Sequence, residues 1–113
     1  MNDGDLTPLM RQYREIKRAH QDAILWLWTT NAFLADGSAA RCITAWGFTP
    51  KTILTWWKVR MGTGHWLRNS TEHCVLAVRG RPVVELTNQT TLIAEARREH
   101  SRKPEAFYAL LRA

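Results

Sequence analysis

The sequence RMGTGHWLRNSTEHCVLAVRG, residues 60–80, begins as a loop with two glycines and then becomes apolar and alternating. In its second half, Cys74, Leu76 and Val78 occur at every second position, which places them on one face of a β-strand. The stretch therefore predicts a loop that leads into a β-strand.

The two glycines of this loop, Gly62 and Gly64, are similar to the start of a dinucleotide-binding fingerprint. However, Leu67 occupies the position of the third glycine, and no strand-to-helix turn is predicted there. The motifs of serine hydrolases, zinc metalloproteases and P-loop proteins do not occur in the 113 residues either. These function classes are therefore excluded.

Further strands are predicted on both sides of the loop. Each is a short run rich in apolar residues with polar residues at its ends, a pattern typical of strands in a covered sheet. The runs are DAILWLWTT at 22–30, KTILTWWKV at 51–59 and TLIAEAR at 91–97. With the strand that ends the opening stretch, they predict a sheet of at least four strands.

A helix is predicted between the first two strands, in residues 31–48. Its apolar residues have helical spacing, and Gly47 stands where a helix C-cap glycine belongs. The triplet Asp36-Gly37-Ser38 favours a break inside this stretch, because glycine within a helix costs about 1 kcal/mol relative to alanine.

Helices are also predicted near both ends of the chain. An amphipathic helix at 7–20 has Pro8 at its first position, and a last helix begins at Pro104 with Phe107, Leu110 and Leu111 on its apolar side. Strands that alternate with helices predict an α/β fold with a sheet of mixed direction.

The composition is that of one small basic domain. The 113 residues carry 16 Lys and Arg against 10 Asp and Glu, and residues 57–113, with ten basic and five acidic residues, contribute +5 of the formal net charge of +6. This charge favours partners that carry phosphate groups. We expect residues 1–113 to form a single domain.

The cysteines and apolar runs exclude other classes. Cys42 and Cys74 form no C-x-x-C pair, so we expect free thiols and no metal site. The longest apolar run, residues 23–28, is far shorter than a membrane span, and no secretory signal precedes it. The sequence therefore predicts a cytoplasmic protein without membrane contact.

Four blocks of the sequence resemble successive blocks of one enzyme family. They are WLWTTNAFL at 26–34, AWGFTPKTILTWWKV at 45–59, MGTGHWLRNSTEHCVLAVRG at 61–80 and AEARREHSRKPEAFYALL at 94–111. In order and spacing they resemble the METTL-type N6-adenine methyltransferases, bacterial and phage members included, over residues 24–112. The resemblance implies a partial Rossmann-like sheet, the cofactor S-adenosylmethionine, and methyl transfer to the exocyclic amine of adenine in DNA or RNA.

The sequence lacks two features of the family that are needed for activity. The Asp-Pro-Pro-Trp motif, which in the family holds the adenine amine near the methyl donor, does not occur, and the family's strand that completes the cofactor pocket does not follow HSRKP at 100–104. Alignment of reacting groups can supply about 7 to 11 kcal/mol of barrier reduction. We therefore expect the chain alone to be inactive and to bind S-adenosylmethionine weakly.

Residues 7–25, TPLMRQYREIKRAHQDAIL, resemble the start of the MutS mismatch-repair family. That family continues with a Phe-x-Glu mismatch-reading element, which does not follow here, so mismatch reading is not expected. The two resemblances together suggest a remodelled or composite sequence, and the alternative is a chance similarity of one amphipathic helix.

The opening loop carries side chains suited to nucleic acid or to a partner. Its cations, aromatic ring and amide are Arg60, His65, Trp66, Arg68 and Asn69. Phosphate donors beside a stacking surface are typical of single-strand binding, and in the resembled family this loop lies near the substrate entrance or at a partner interface. The alternative is that Trp66 packs on the core and the glycines only turn the chain.

A second candidate site lies before the last helix. By resemblance, Lys103 corresponds to a family lysine that contacts the carboxylate of the cofactor. Glu99 and His100 would orient that neighbourhood. An ammonium group just before Pro104 is also well placed for an anion. The alternative is that RREHSRK, residues 97–103, is a solvated run of charges.

Two functions follow from these observations. The first is a methyltransferase-derived domain that binds adenine-containing DNA or RNA, binds S-adenosylmethionine weakly, and is completed by a partner protein or a second copy. The second is a small non-catalytic regulator or inhibitor, of phage or mobile-element type, that binds a protein.

Overall fold

The computed structural model describes residues 22–83, 86, 88–99 and 102–112. The predicted helix at 7–20 lies outside these residues. The elements of the described part are β1 (Ala23–Thr29), α1 (Asn31–Ala35), α2 (Ser38–Ala45), β2 (Thr49–Trp57), β3 (Thr71–Arg79), β4 (Leu92–Ala94) and α3 (Glu105–Leu111). All four predicted strands are therefore present, and the last of them is short.

The four strands form one sheet in the order β1-β3-β2-β4. β3 is antiparallel to both β1 and β2, whereas β2 and β4 are parallel. β1 and β2 therefore run in the same direction, and the helices that connect them cross over β3. This mixed sheet with flanking helices confirms the predicted α/β fold of partial Rossmann-like type.

The connection from β1 to β2 contains two short helices rather than one. The hydroxyl of Thr30 accepts a hydrogen bond from the Phe33 amide at 3.3 Å and so caps the start of α1. Gly37 then takes the left-handed conformation, with φ of 84°, and separates α1 from α2. The predicted break is therefore confirmed, and Gly47, with φ of 86°, ends α2 as predicted.

Both faces of the sheet are buried, and each face packs against helices in its own hydrophobic cluster. On the α1–α2 side the buried members are Leu25, Ile43, Phe48, Val75 and Ala77. On the α3 side they are Leu54, Trp56, Cys74, Ile93 and Phe107. Because side chains alternate along a strand, β3 supplies both clusters, which explains why it is the most buried strand of the described part.

Aromatic rings fill the cluster on the α3 side. Trp28 packs edge-on against Phe107 with the ring centres 5.0 Å apart, and against Trp56 at 6.1 Å. Cys74 is fully buried beneath them, and burial raises the pKa of its thiol to about 12. Since only a thiolate is a good nucleophile, Cys74 is a packing residue.

The last helix follows the sequence prediction except at one residue. Pro104 precedes α3, and Phe107 and Leu110 are buried as predicted. Leu111, also predicted on the apolar side, is 47% exposed; it is the last residue of α3 and lies on the opposite side of Phe107 from Leu110 around the helix. No helix in the described ranges has the length and apolar character that a membrane crossing needs.

Candidate functional site

The loop between β2 and β3, residues 58–70, is a folded hairpin whose two arms hydrogen-bond to each other. The amide of Gly62 donates to the carbonyl of Asn69 at 2.6 Å, and the amide of Asn69 donates to the carbonyl of Thr63 at 3.2 Å. The Arg68 side chain donates from Nε to the carbonyl of Gly62 at 3.2 Å. The loop is therefore a shaped wall at the end of the sheet.

The glycines of this β2–β3 loop are required by close approach of the backbone. A Cβ atom on Gly64 would lie 2.0 Å from the carbonyl oxygen of Leu67, and one on Gly62 would lie 2.9 Å from that of Asn69. Neither distance is tolerable for a carbon atom beside an oxygen. The glycines thus serve the hairpin, in agreement with the exclusion of a dinucleotide fingerprint.

The tip of the loop is exposed to solvent. Trp66 is 97% exposed and Leu67 is 83% exposed, and His65 beside them is exposed as well. The alternative that Trp66 packs on the core is therefore wrong. The indole ring is available to a ligand or a partner.

A cleft of about 590 Å³ opens between the β2–β3 loop and the segment that follows β4. Its lining consists of Lys58, Arg60, Met61, Gly62, Thr63, Asn69, Ala96, Arg97 and Arg98. Four of these residues are cations, and none of the described lining residues is acidic. We refer to this site as the basic cleft.

The predicted loop residues divide between the cleft and the tip. Arg60 and Asn69 line the basic cleft, whereas His65 and Trp66 lie at the tip. Arg68, also exposed, supports the hairpin through its bond to the loop backbone.

Sequence reasoning missed three cations of the cleft. Lys58 lies just after β2, and Arg97 and Arg98 were read only as part of a run of solvated charges. They meet Arg60 because β4 pairs with the last residues of β2, from Thr55 to Trp57. The available signal for Lys58 was its position two residues before Arg60, since the two cations alternate with the apolar residues Val59 and Met61.

An ionic cluster lies beside the cleft, on the α3 side of the sheet. The carboxylate of Glu72 pairs with the Lys58 ammonium at 3.2 Å and with the Lys103 ammonium. Each ammonium also lies 5.1 Å from the centre of a tryptophan ring, Lys58 over Trp56 and Lys103 over Trp28. With two lysines and one carboxylate, the cluster keeps one net positive charge.

The charge of Glu72 is maintained by its two lysine partners. Burial by itself would raise the pKa of this carboxyl, but the hydrogen bonds and the attraction from Lys103 and Lys58 outweigh it and hold the pKa below its ordinary value of 4.5. Lys58 belongs to both the cluster and the cleft, so the ion pair fixes one side of the cleft wall.

Of the two residues predicted to contact the cofactor, Lys103 and His100, the structure describes only Lys103. Lys103 is half-buried, its ammonium is engaged by Glu72, and its backbone amide donates to the Tyr108 hydroxyl at 3.3 Å. His100 lies outside the described residues. Among the residues that the structure describes, no group of three His, Cys, Asp or Glu side chains could hold a metal ion.

A polar chain runs along the opposite face of the same sheet end. The imidazole of His73 contacts the Thr55 hydroxyl at 3.0 Å through Nδ1 and the Asn31 side-chain oxygen at 2.7 Å through Nε2. Burial lowers the pKa of His73 below its ordinary 6.5, and attraction from Glu72 offsets part of this effect. Neither Asn31 nor His73 is predicted from the sequence as a site residue.

We expect the substitution Glu72→Gln to destabilise the protein at neutral pH by about 1.5–3 kcal/mol, the range for hydrogen bonds to charged groups. Because the pKa of Glu72 is lowered in the folded state, its contribution is complete above pH 4.5 and is lost as the pH falls through the lowered value. The difference between the unchanged protein and the variant should therefore shrink in acid.

Urea unfolding followed by tryptophan fluorescence at a series of pH values measures this difference. Glu99→Gln is the matched control, since Glu99 is an exposed carboxylate paired with Arg102, and its removal should cost less. A Glu72→Gln deficit that stays constant from neutral to acidic pH would contradict the ionic account.

Comparison with known proteins agrees with the sequence resemblance. The MT-A70 family model matches residues 8–113. An N(6)-adenosine-methyltransferase MT-A70-like protein of Arabidopsis thaliana is 36% identical over 98 residues, which are 80% of this chain and 14% of the relative. The N(6)-adenosine-methyltransferase catalytic subunit METTL3 of Homo sapiens is 31% identical over 120 aligned residues, 96% of this chain and 20% of the relative.

A third relative, a probable N(6)-adenosine-methyltransferase MT-A70-like protein of Oryza sativa subsp. japonica, is 35% identical over 98 residues, with 80% of this chain and 14% of the relative covered. The chain thus spans at most a fifth of the length of these curated relatives. The family match includes most of residues 7–25, whose resemblance to MutS stays a prediction. With nearly all of its residues matched by the family model, the chain belongs to the MT-A70 family.

Proposed function

We propose that this MT-A70 chain binds single-stranded, adenine-containing nucleic acid, with the phosphate backbone in the basic cleft. The observation that carries the proposal is the convergence of Lys58, Arg60, Arg97 and Arg98 on one cleft. Adenine is favoured as the target base because the relatives are named N(6)-adenosine-methyltransferases.

The charge of the cleft is only partly neutralised by the residues that the structure describes. Lys58 pairs with Glu72, and Arg98 pairs with Glu105. Arg60 and Arg97 have no salt bridge to any described residue. Two arginines on facing walls therefore remain to pair with phosphates, for which the planar guanidinium group is well suited.

The exposed indole of Trp66 supplies a second kind of contact. A base stacked on an aromatic side chain contributes about 1–3 kcal/mol without requiring a particular sequence. Trp66 lies on the same hairpin whose arm lines the cleft. A single strand whose backbone follows the cleft would thus present bases to the loop tip, whereas a duplex would keep its bases stacked inside.

S-adenosylmethionine is the cofactor that the family resemblance implies, and Lys103 is the described residue proposed to meet its carboxylate. The ammonium of Lys103 is already paired with Glu72, so a second carboxylate would have to compete with the one in place. We therefore propose that residues 1–113 alone bind this cofactor weakly.

Binding of a protein is the second candidate function, and the exposed apolar tip of the loop favours it. Met61, Trp66 and Leu67 are 64%, 97% and 83% exposed, and they lie close together in the sequence. Such side chains form the centre of many protein interfaces. In this account a partner protein or a second copy would cover the tip.

We expect a fluorescently labelled, single-stranded adenine-containing oligonucleotide to bind the chain in an anisotropy titration, with an affinity that falls as salt is added. Replacing Arg60 and Arg97 together by Glu should weaken binding about tenfold or more, because phosphate attraction becomes repulsion. DNA and RNA versions of the same oligonucleotide measure any preference for the sugar.

Lys51→Glu combined with Arg41→Glu is the matched control, because it makes the same change in net charge at exposed residues remote from the cleft lining. Equal loss of affinity in both double variants would show that net charge alone binds the oligonucleotide. No binding by the unchanged protein at low salt, together with capture of a protein through the loop tip, would favour the second candidate function.

Methyl transfer is a separate prediction. We expect no incorporation of labelled methyl groups when residues 1–113 alone are incubated with S-adenosylmethionine and the oligonucleotide, because no Asp-Pro-Pro-Trp occurs in them to orient the adenine amine. The same assay with added partner protein serves as the comparison. Incorporation by the chain alone would contradict the expectation.

A further inference from the structure

We propose that Asn31 is a positioning residue, which holds the loop wall of the basic cleft in place through Asn69. The proposal rests on the function proposed above, since it concerns how the same cleft is kept ready for its ligand. Asn31 is the first residue of α1, and Asn69 lies on the returning arm of the β2–β3 loop.

The side-chain amide of Asn31, in α1, contacts three residues of β3 and the β2–β3 loop. Its oxygen is 2.7 Å from Nε2 of His73, and its nitrogen donates to the Thr71 carbonyl at 3.2 Å and to the side-chain oxygen of Asn69 at 3.3 Å. His73 and Thr71 belong to β3, whereas Asn69 belongs to the loop. The start of α1, the central strand and the loop are therefore tied by one side chain.

The orientation of this amide is determined by the Thr71 carbonyl, which can only accept, so the Asn31 NH₂ group faces Thr71 and the Asn31 oxygen faces His73. Since the Asn31 oxygen can only accept, Nε2 of His73 carries a proton and donates it. Nδ1 of the neutral ring is then an acceptor and takes a hydrogen bond from the Thr55 hydroxyl at 3.0 Å. The NH₂ group that faces the Thr71 carbonyl also donates to the side-chain oxygen of Asn69.

Asn69 connects the Asn31 side chain to the wall of the basic cleft. Its side-chain nitrogen donates to the Thr63 carbonyl at 2.7 Å, in addition to the 3.2 Å bond from its backbone amide to the same oxygen. Thr63 and Asn69 both line the basic cleft, on the wall that also carries Arg60. A chain of hydrogen bonds thus leads from Thr55 in the sheet to the wall that faces Arg97.

Only an asparagine satisfies all of these contacts. Aspartate would keep an acceptor for His73 but would turn a second acceptor toward the side-chain oxygen of Asn69. Alanine would remove every contact. Because the Asn31 bond to Asn69 is exposed whereas the bond to Thr71 is half-buried, loss of the former should affect the loop more than the fold.

The test compares Asn31→Asp, Asn69→Ala and their combination in the oligonucleotide titration, at a temperature where circular dichroism shows each variant folded. We expect each single change to weaken binding about three- to tenfold, the factor that one net hydrogen bond supplies. The combination should bind no more weakly than Asn69→Ala alone, because Asn69→Ala already removes both the link from Asn31 and its continuation to Thr63. Thr44→Ala, at an exposed side chain of α2, is the control and should bind as the unchanged protein does.

The outcomes separate the two proposals. Normal binding by Asn31→Asp, or losses that simply add in the combined variant, would overturn the positioning role and leave the proposed function in place. Failure of the unchanged protein to bind would overturn both. Asn31→Ala adds a third measurement, since a purely structural role predicts a lower melting temperature with unchanged affinity in the folded protein.

Discussion

The register of β3 between two antiparallel neighbours is the constraint on which the rest of the structure depends. Trp28 and Leu54 both lie opposite Cys74, and Thr29 and Thr55 both lie opposite His73. Since successive side chains point to opposite faces, a slip by one residue would turn Cys74 toward the α1–α2 side and Val75 and Ala77 toward the aromatic rings on the α3 side. Burial on both faces therefore specifies the register strongly.

The same register separates Glu72 and His73 at the end of the strand. Glu72 joins the lysines on the α3 side, and His73 joins Asn31 on the α1 side. The β2–β3 loop leaves and rejoins the sheet at this end of the strands. It is therefore bound to the ionic cluster through Lys58 and to a neutral chain of hydrogen bonds through Asn69. A rigid sheet thus supports a loop that carries the exposed charges, which is a common way to build a binding surface.

Much of this arrangement could be predicted from short-range patterns. The alternation of residues along β3 predicts a strand, and the glycine at position 37 predicts a break between two helices. Both are local effects, which a sequence pattern can show. The basic cleft could not be predicted in this way, since Arg97 meets Arg60 only through the parallel pairing of β4 with β2. The exposure of Leu111 was missed because helical spacing alone does not tell which residue of a short helix faces away from its neighbour.

Amide chemical shifts of the isotope-labelled protein, recorded while the single-stranded oligonucleotide is added, test the central claim most directly. The account predicts that the shifts change at residues 58–69 and 96–98, on both walls of the basic cleft. Changes confined to α1 and α2, or spread evenly over all exposed lysines and arginines, would contradict it.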